Sequence, residues 1–205
     1  MTAFNKMRRA LIFIAFAFLA MPAAATSCST IAADLLDALP GDTIETGPIT
    51  CPSRIIINRL AVPGGVTLDA SGATFNQGIT VANSSGLTIR GGTYGMLAAD
   101  TVATYAIQAS GVTDFSVAGA RFFAGPGGNR GGVQIRNGLR VTVRDSYFEA
   151  HRTGLSLYEV TDALAARNVF RKATSDGINV VGSHRFIIAA NDCHWTARVG
   201  QAHPD

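Results

Sequence analysis

The chain is short of the residues that usually announce a metal or a cofactor. Its 205 residues include three cysteines, one tryptophan and four histidines, with no Cys-x-x-Cys pair and no paired-histidine spacing. Nothing in it therefore points to a zinc site. Lysine is nearly missing as well: past residue 25 only Lys172 remains, beside thirteen arginines. Long apolar runs are lacking, since the stretch from Ala10 to Met21 is too short to span a bilayer. Helical periodicity is confined to one short segment, Thr30 to Leu39.

What stands at the start explains most of the net charge. Lys6, Arg8 and Arg9 precede the apolar run, and Pro22-Ala23-Ala24-Ala25 follows it. This pattern predicts a secretory signal peptide over 1–25, cleaved after Ala25. The whole chain carries 17 basic and 14 acidic residues. Without those three signal residues the remainder holds 14 of each sign, so nucleic acid is not an expected partner. The mature chain is expected to be exported, periplasmic or extracellular, with no transmembrane segment. Its arginine preference has two readings. Arginine grips carboxylates in a bidentate fork, and a GC-rich genome favours its codons.

Repetition then dominates. GVQIRNGLRVTVRDSYF (132–148), GLSLYEVTDALAARNVF (154–170) and GINVVGSHRFIIAANDC (177–193) share length and phasing. Each opens with a short alternating strand, continues with a second apolar strand and closes on an aromatic residue or cysteine. The closing residue falls five positions after an apolar one: Ile89 to Tyr94, Val117 to Phe122, Val143 to Phe148, Ala165 to Phe170, Ile188 to Cys193. A period of 22 to 23 residues signals a solenoid. The opening strands align an inward column, Ile79, Ile107, Val133, Leu155 and Ile178. Two residues on comes a second, Val81, Ala109, Ile135, Leu157 and Val180. Between them, facing out, fall Thr80, Gln108, Gln134, Ser156 and Asn179.

The rest of the chain fits around this repeat. Residues 26–205 read as one domain, with TIAADLLDAL (30–39) as an N-terminal capping helix. Ser29 or Thr30 would cap that helix, and Ile31, Leu35, Leu36 and Leu39 would form its apolar stripe. Cys28 and Cys51 flank it and are expected to form a disulfide in an oxidising compartment. Cys193, in the closing column, is expected to be a buried thiol. The chain halts where His203-Pro204-Asp205 aligns with Ser175-Asp176, which predicts further coils beyond it.

These coils, with GVTLDASGATF (65–75) at the start, resemble the right-handed parallel β-helix superfamily of pectate lyases and related polysaccharide-active proteins. The resemblance covers about residues 30–205. It implies an all-β, right-handed parallel β-helix in which turn asparagines stack, here Asn168 and Asn191. It also implies a polysaccharide lying over the opening-strand sheet, on Gln134, Ser156 and Asn179, flanked by Arg136 and Tyr158. Arg130 and Arg152 would form a column beside it, and Gly131, Thr153, Asp176 and Asp205 the next.

Three chemistries are open. A lyase would use Arg152, Tyr158, Asp176 and His151 as catalytic candidates and Arg130, Gln134, Arg136, Ser156 and Asn179 to bind an acidic polysaccharide. Asp176 and Asp205 are then the candidate Ca2+ ligands. A glycoside hydrolase would need Asp176 and Asp205 as its two carboxylates. Thr174-Ser175-Asp176-Gly177 resembles one polygalacturonase motif, while that family's Asp-Asp pair and Gly-His-Gly are missing. The third reading is a glycan-binding or surface-structural β-helix without catalysis.

Overall fold

The computed structural model describes residues 26–96, 105–124 and 131–194. The expected signal segment, Arg130 and Asp205 lie outside them. After a short helix, α1 (Ile31–Leu36), the described chain is all β. Strands follow in threes: β1 (Thr43–Glu45), β2 (Thr50–Cys51), β3 (Ile55–Asn58); β4 (Ala61–Asp69), β5 (Thr74–Phe75), β6 (Ile79–Ala82); β7 (Ser85–Arg90), β8 (Thr93–Met96), β9 (Tyr105–Ser110). Next come β10 (Thr113–Ala118), β11 (Arg121–Ala124), β12 (Gly131–Arg136); β13 (Leu139–Arg144), β14 (Tyr147–Glu149), β15 (Thr153–Tyr158). The series ends with β16 (Thr161–Ala166), β17 (Val169–Arg171), β18 (Asp176–Val181); β19 (His184–Ala189) and β20 (Asp192–His194).

Every third strand pairs in parallel with its equivalent one coil away. Sheet A runs β1-β4-β7-β10-β13-β16-β19, sheet B β2-β5-β8-β11-β14-β17-β20, and sheet C β3-β6-β9-β12-β15-β18. Sheet C is the opening-strand sheet of the sequence repeat. The result is a parallel β-solenoid, and its register is the expected one. Ile79 pairs with Ile107, Ile107 with Val133, Val133 with Leu155, and Leu155 with Ile178.

The interior is built from these columns. Phe75, Tyr94, Phe122, Phe148 and Phe170 stack in one line with centroid separations of 5.1, 5.0, 4.6 and 4.7 Å. That spacing follows from strands ~4.8 Å apart, which leaves equivalent rings one above another. Each ring needs room on the facing wall. Gly132 and Gly154 supply it: a Cβ at either would lie 2.4 Å from the ring of Phe148 or Phe170. These glycines face inward and so do their successors Val133 and Leu155. The sheet C strands therefore bend at their second residue, and the two-residue alternation restarts after the bend.

Corners are closed by left-handed residues. Asn83, Gly111, Asn137, Glu159 and Gly182, all at positive φ, end successive sheet C strands. A turn that tight needs one residue in this region, where Gly and Asn are least strained. The corner between sheets A and B is filled by side-chain amides. Asn168 Nδ2 donates to Asn191 Oδ1 (3.0 Å) and to Val143 O (2.9 Å), while Asn168 Oδ1 accepts from Ser146 N (3.1 Å). Ser146 Oγ in turn accepts from Ala120 N at 3.2 Å, so the expected asparagine pair is the upper half of a longer ladder.

Two expectations at the ends need correction. The helix is shorter than 30–39, and only Ile31 and Leu35 are buried; Leu36 and Leu39 are 52% and 67% exposed. Thr30 occupies the N-cap position without a side-chain cap. Its hydroxyl instead donates to Ser27 O and accepts from Ser27 N. Cys193 stacks on Phe170 in register as expected, yet it is exposed. Phe186 and Ile188 beside it, over buried Ala163 and Ala165, are also exposed. No strand among the described residues covers this last coil. At the other end Cys28 and Cys51 are joined, with Cα atoms 5.4 Å apart. Among the described residues no helix is long and apolar enough to cross a membrane.

Candidate functional site

The outer face of sheet C carries the neutral column in register: Thr80 beside Gln108, then Gln134, Ser156 and Asn179. Polarity alone does not mark a site. The outer face of sheet A has a similar column of Thr67, Thr88, Ser116 and Thr142. Shape does not mark one either, since a depression of about 350 Å³ on the sheet A side is lined by Thr88 and Asp114 among others. What sets the sheet C face apart is an exposed arginine, Arg152, outside any ion pair among the described residues. At the start of the sheet C strands lies a shallow depression of about 360 Å³, lined by Tyr105, Gly131, Arg152, Thr153, Ser175, Asp176 and Asn179.

Register explains why these residues meet. Gly131 pairs with Tyr105 and Thr153 with Asp176, so four coils deliver one column. The corner before β18 is folded back onto the corner before β15, because Ser175 N and Asp176 N both donate to Arg152 O (2.9 and 3.1 Å). Asp176 Oδ2 accepts from Ser175 Oγ at 3.0 Å and, more weakly, from Thr153 Oγ1 at 3.4 Å. The carboxylate is thus held by two hydroxyls rather than by a cation. Arg152 is exposed on the rim and makes no ion pair among the described residues.

That is unlike the arginines of the sheet A corners. Arg140, Arg167 and Arg185 each hold an aspartate of the preceding coil through two bonds: Asp114, Asp145 and Asp162 respectively. The bidentate fork that arginine offers is used mostly between coils of this chain.

The structure separates residues that the sequence placed together. Tyr158 pairs with Arg136 at the far end of the same strand, and the Arg136 guanidinium lies 5.0 Å from the Tyr158 ring centroid. Thr153 and Tyr158 are five residues apart, about 16 Å at ~3.3 Å per residue. Tyr158 therefore does not stand beside Arg152. His151 is not on the face at all. It is 1% exposed and meets the Phe148 ring edge-on at 6.4 Å, so it belongs to the interior. Gln134, Ser156 and Asn179 line the middle, with Ser156 buried. Arg130 and Asp205 lie outside the described residues, and with Asp205 goes the second ligand of the expected Ca2+ pair. Among the described residues no three His, Cys, Asp or Glu side chains cluster as metal ligands.

Two contributors were missed. Tyr105 stands two residues before Ile107 as Gly131 stands before Val133, so the column extended one coil back would have found it. Arg54 crosses the same face, donating to Thr80 Oγ1 (3.3 Å) and Tyr105 O (3.0 Å). Its spacing held no signal, because it reaches two coils away.

One comparison bears on this architecture. The chain is similar to a crystal structure from Parabacteroides merdae named as a candidate glycosyl hydrolase. The TM-score is 0.50 at 11% identity, over 71% of this chain and 81% of that one. At that identity the likeness establishes the solenoid fold. No family model matches the chain, and no curated protein does.

Proposed function

We propose that this protein binds an acidic, uronate-containing polysaccharide across the outer face of sheet C and cleaves it by β-elimination at the Arg152–Asp176 depression. The observation that carries the reading is a guanidinium that has no carboxylate partner among the described residues, on the rim of a depression lined by hydroxyls, an amide and the Asp176 carboxylate. A uronate carboxylate would supply the missing partner in bidentate form. That contact also withdraws charge from the sugar, acidifying the hydrogen on the carbon next to the carboxylate.

Asp176 is the carboxylate at hand to accept this proton. The C–H electron pair becomes the new carbon–carbon double bond, the bond from the neighbouring carbon to the glycosidic oxygen breaks, and that oxygen leaves with a proton from solvent. Elimination is preferred to hydrolysis because Arg152 offers the guanidinium that a uronate carboxylate needs for its neighbouring carbon to lose a proton. Export to a periplasmic or extracellular setting belongs to the same proposal, and the Cys28–Cys51 disulfide supports it.

The test is to incubate the protein with polygalacturonate, alginate and a neutral glucan. Ultraviolet absorbance of an unsaturated uronate product and total reducing ends are followed together. Absorbance should rise with an acidic polymer only, and Asp176→Asn should reduce the rate by about 10²-fold or more. Reducing ends without absorbance would mean hydrolysis. Binding without either would mean a non-catalytic glycan protein.

A further inference from the structure

Gly131 is a glycine without a backbone reason to be one. Its φ is not in the left-handed region, unlike that of the corner glycines Gly111 and Gly182. The reason is on its outer side. A Cβ there would lie 1.9 to 2.0 Å from the Tyr105 ring carbons. The phenol of one coil is thus laid down over the next, in the place where residue 131 would carry its side chain. Arg54 Nη2 holds the Tyr105 carbonyl at 3.0 Å, which fixes the strand from which the ring leans. The neighbouring inward glycines make room for core rings; this one makes room for a ring that is half-buried and borders the depression.

We propose that Tyr105, seated on Gly131, is the aromatic platform of a second sugar subsite next to the Arg152–Asp176 depression. This rests on the glycan reading above and extends it. Coils rise by ~4.8 Å, close to the advance of one pyranose along an extended glycan. A chain running along the solenoid axis then puts its charged unit at Arg152, in the β15 and β18 coils. Tyr105 belongs to the strand two coils from β15, so it is the next-but-one unit that reaches it, and a dimer seated at Arg152 falls short. A flat phenyl face takes the apolar C–H face of a sugar ring, and such stacking does not depend on charge. The platform subsite therefore accepts a neutral or an acidic sugar, while the Arg152 subsite requires the acidic one. Gly131 acts as a positioning residue, since it touches the ring and not the glycan.

The test is calorimetric binding of oligogalacturonates and oligomannuronates, two and four units long, to the full chain. Tyr105→Ala should weaken binding of tetramers on the order of tenfold and leave dimers nearly unchanged. Tyr105→Phe should bind like the parent. Gly131→Ala displaces the ring and should weaken tetramers to a similar extent, and the double variant should be no weaker than either single one. Tetramer affinity unaltered by Tyr105→Ala overturns the platform. If Arg152→Ala still abolishes binding in that case, the depression stands without it. If no oligouronate binds the parent chain, both readings fall. Should Gly131→Ala lower the melting temperature, the contrast between Tyr105→Ala and Tyr105→Phe decides alone.

Discussion

At the scale of the residue, the interior stack holds one anomaly. Tyr94 occupies a phenylalanine-like place between Phe75 and Phe122, and its hydroxyl has no hydrogen-bond partner among the described residues. Burial pushes its ionisation well above the ordinary phenol value. An unmatched buried hydroxyl costs about 1–3 kcal/mol. Tyr94→Phe should therefore leave stability unchanged or raise it by about 1 kcal/mol, as read by denaturant unfolding. Phe148→Ala is the opposite case. It empties a site between two rings and should cost ~3–5 kcal/mol. The rings were legible because five residues always separate them from an apolar neighbour. His151 was not, because a residue in a corner has no alternation to say which way it points. The same bend hid the role of Gly132 and Gly154. Glycine begins all three of the repeat units 132–148, 154–170 and 177–193, and that regularity was the available signal for a wall that must clear the aromatic stack.

At the scale of the element, the corners are tied by charge. Asp114, Arg140, Asp162 and Arg185 alternate in sign along one edge of sheet A, and Asp145, Arg144 and Arg167 form a second group. Hydrogen bonds from the arginines hold the carboxyls of Asp114, Asp145 and Asp162 below their ordinary value. A carboxyl lowered in the folded state adds stability above its unfolded pKa, ~4, and loses it as pH falls through the lower folded value. The melting temperature should be flat from neutral pH down to about 5 and fall below about 4. Being exposed, the pairs contribute modestly, and molar salt should shrink the effect. A melting curve that declined steadily between pH 7 and 5 would contradict this assignment. The sequence showed an arginine preference but not its use, since pairing across coils appears only once the register of sheet A is laid out.

At the scale of the whole molecule, stability passes from coil to coil, so the ends matter most. The N-terminal end has a short helix and a disulfide whose cysteines are 23 residues apart. Closing a loop of that size is worth about 3 kcal/mol. The paired change Cys28→Ser and Cys51→Ser should lower unfolding free energy by roughly 2–4 kcal/mol, and an unchanged midpoint would show that the helix caps the first coil unaided. The solenoid and the register of its opening strands were legible from the repeat, and the disulfide from the two cysteines flanking the helix; that the closing residues form a third sheet was not. The site was legible only in part. Its columns follow from register, but the distance between Arg152 and Tyr158 follows from their positions at opposite ends of one strand. The seating of Tyr105 depends on a glycine one coil away.

The central claim is that Arg152 meets a uronate carboxylate in the depression beside Asp176. It is tested most directly by a crystal structure of the Asp176→Asn variant soaked with an oligouronate. The account predicts one sugar carboxylate within hydrogen-bonding distance of the Arg152 guanidinium, ~2.7–2.9 Å, with the chain running along sheet C. An oligouronate bound instead to the outer face of sheet A, or one whose carboxylates avoid Arg152, would contradict it.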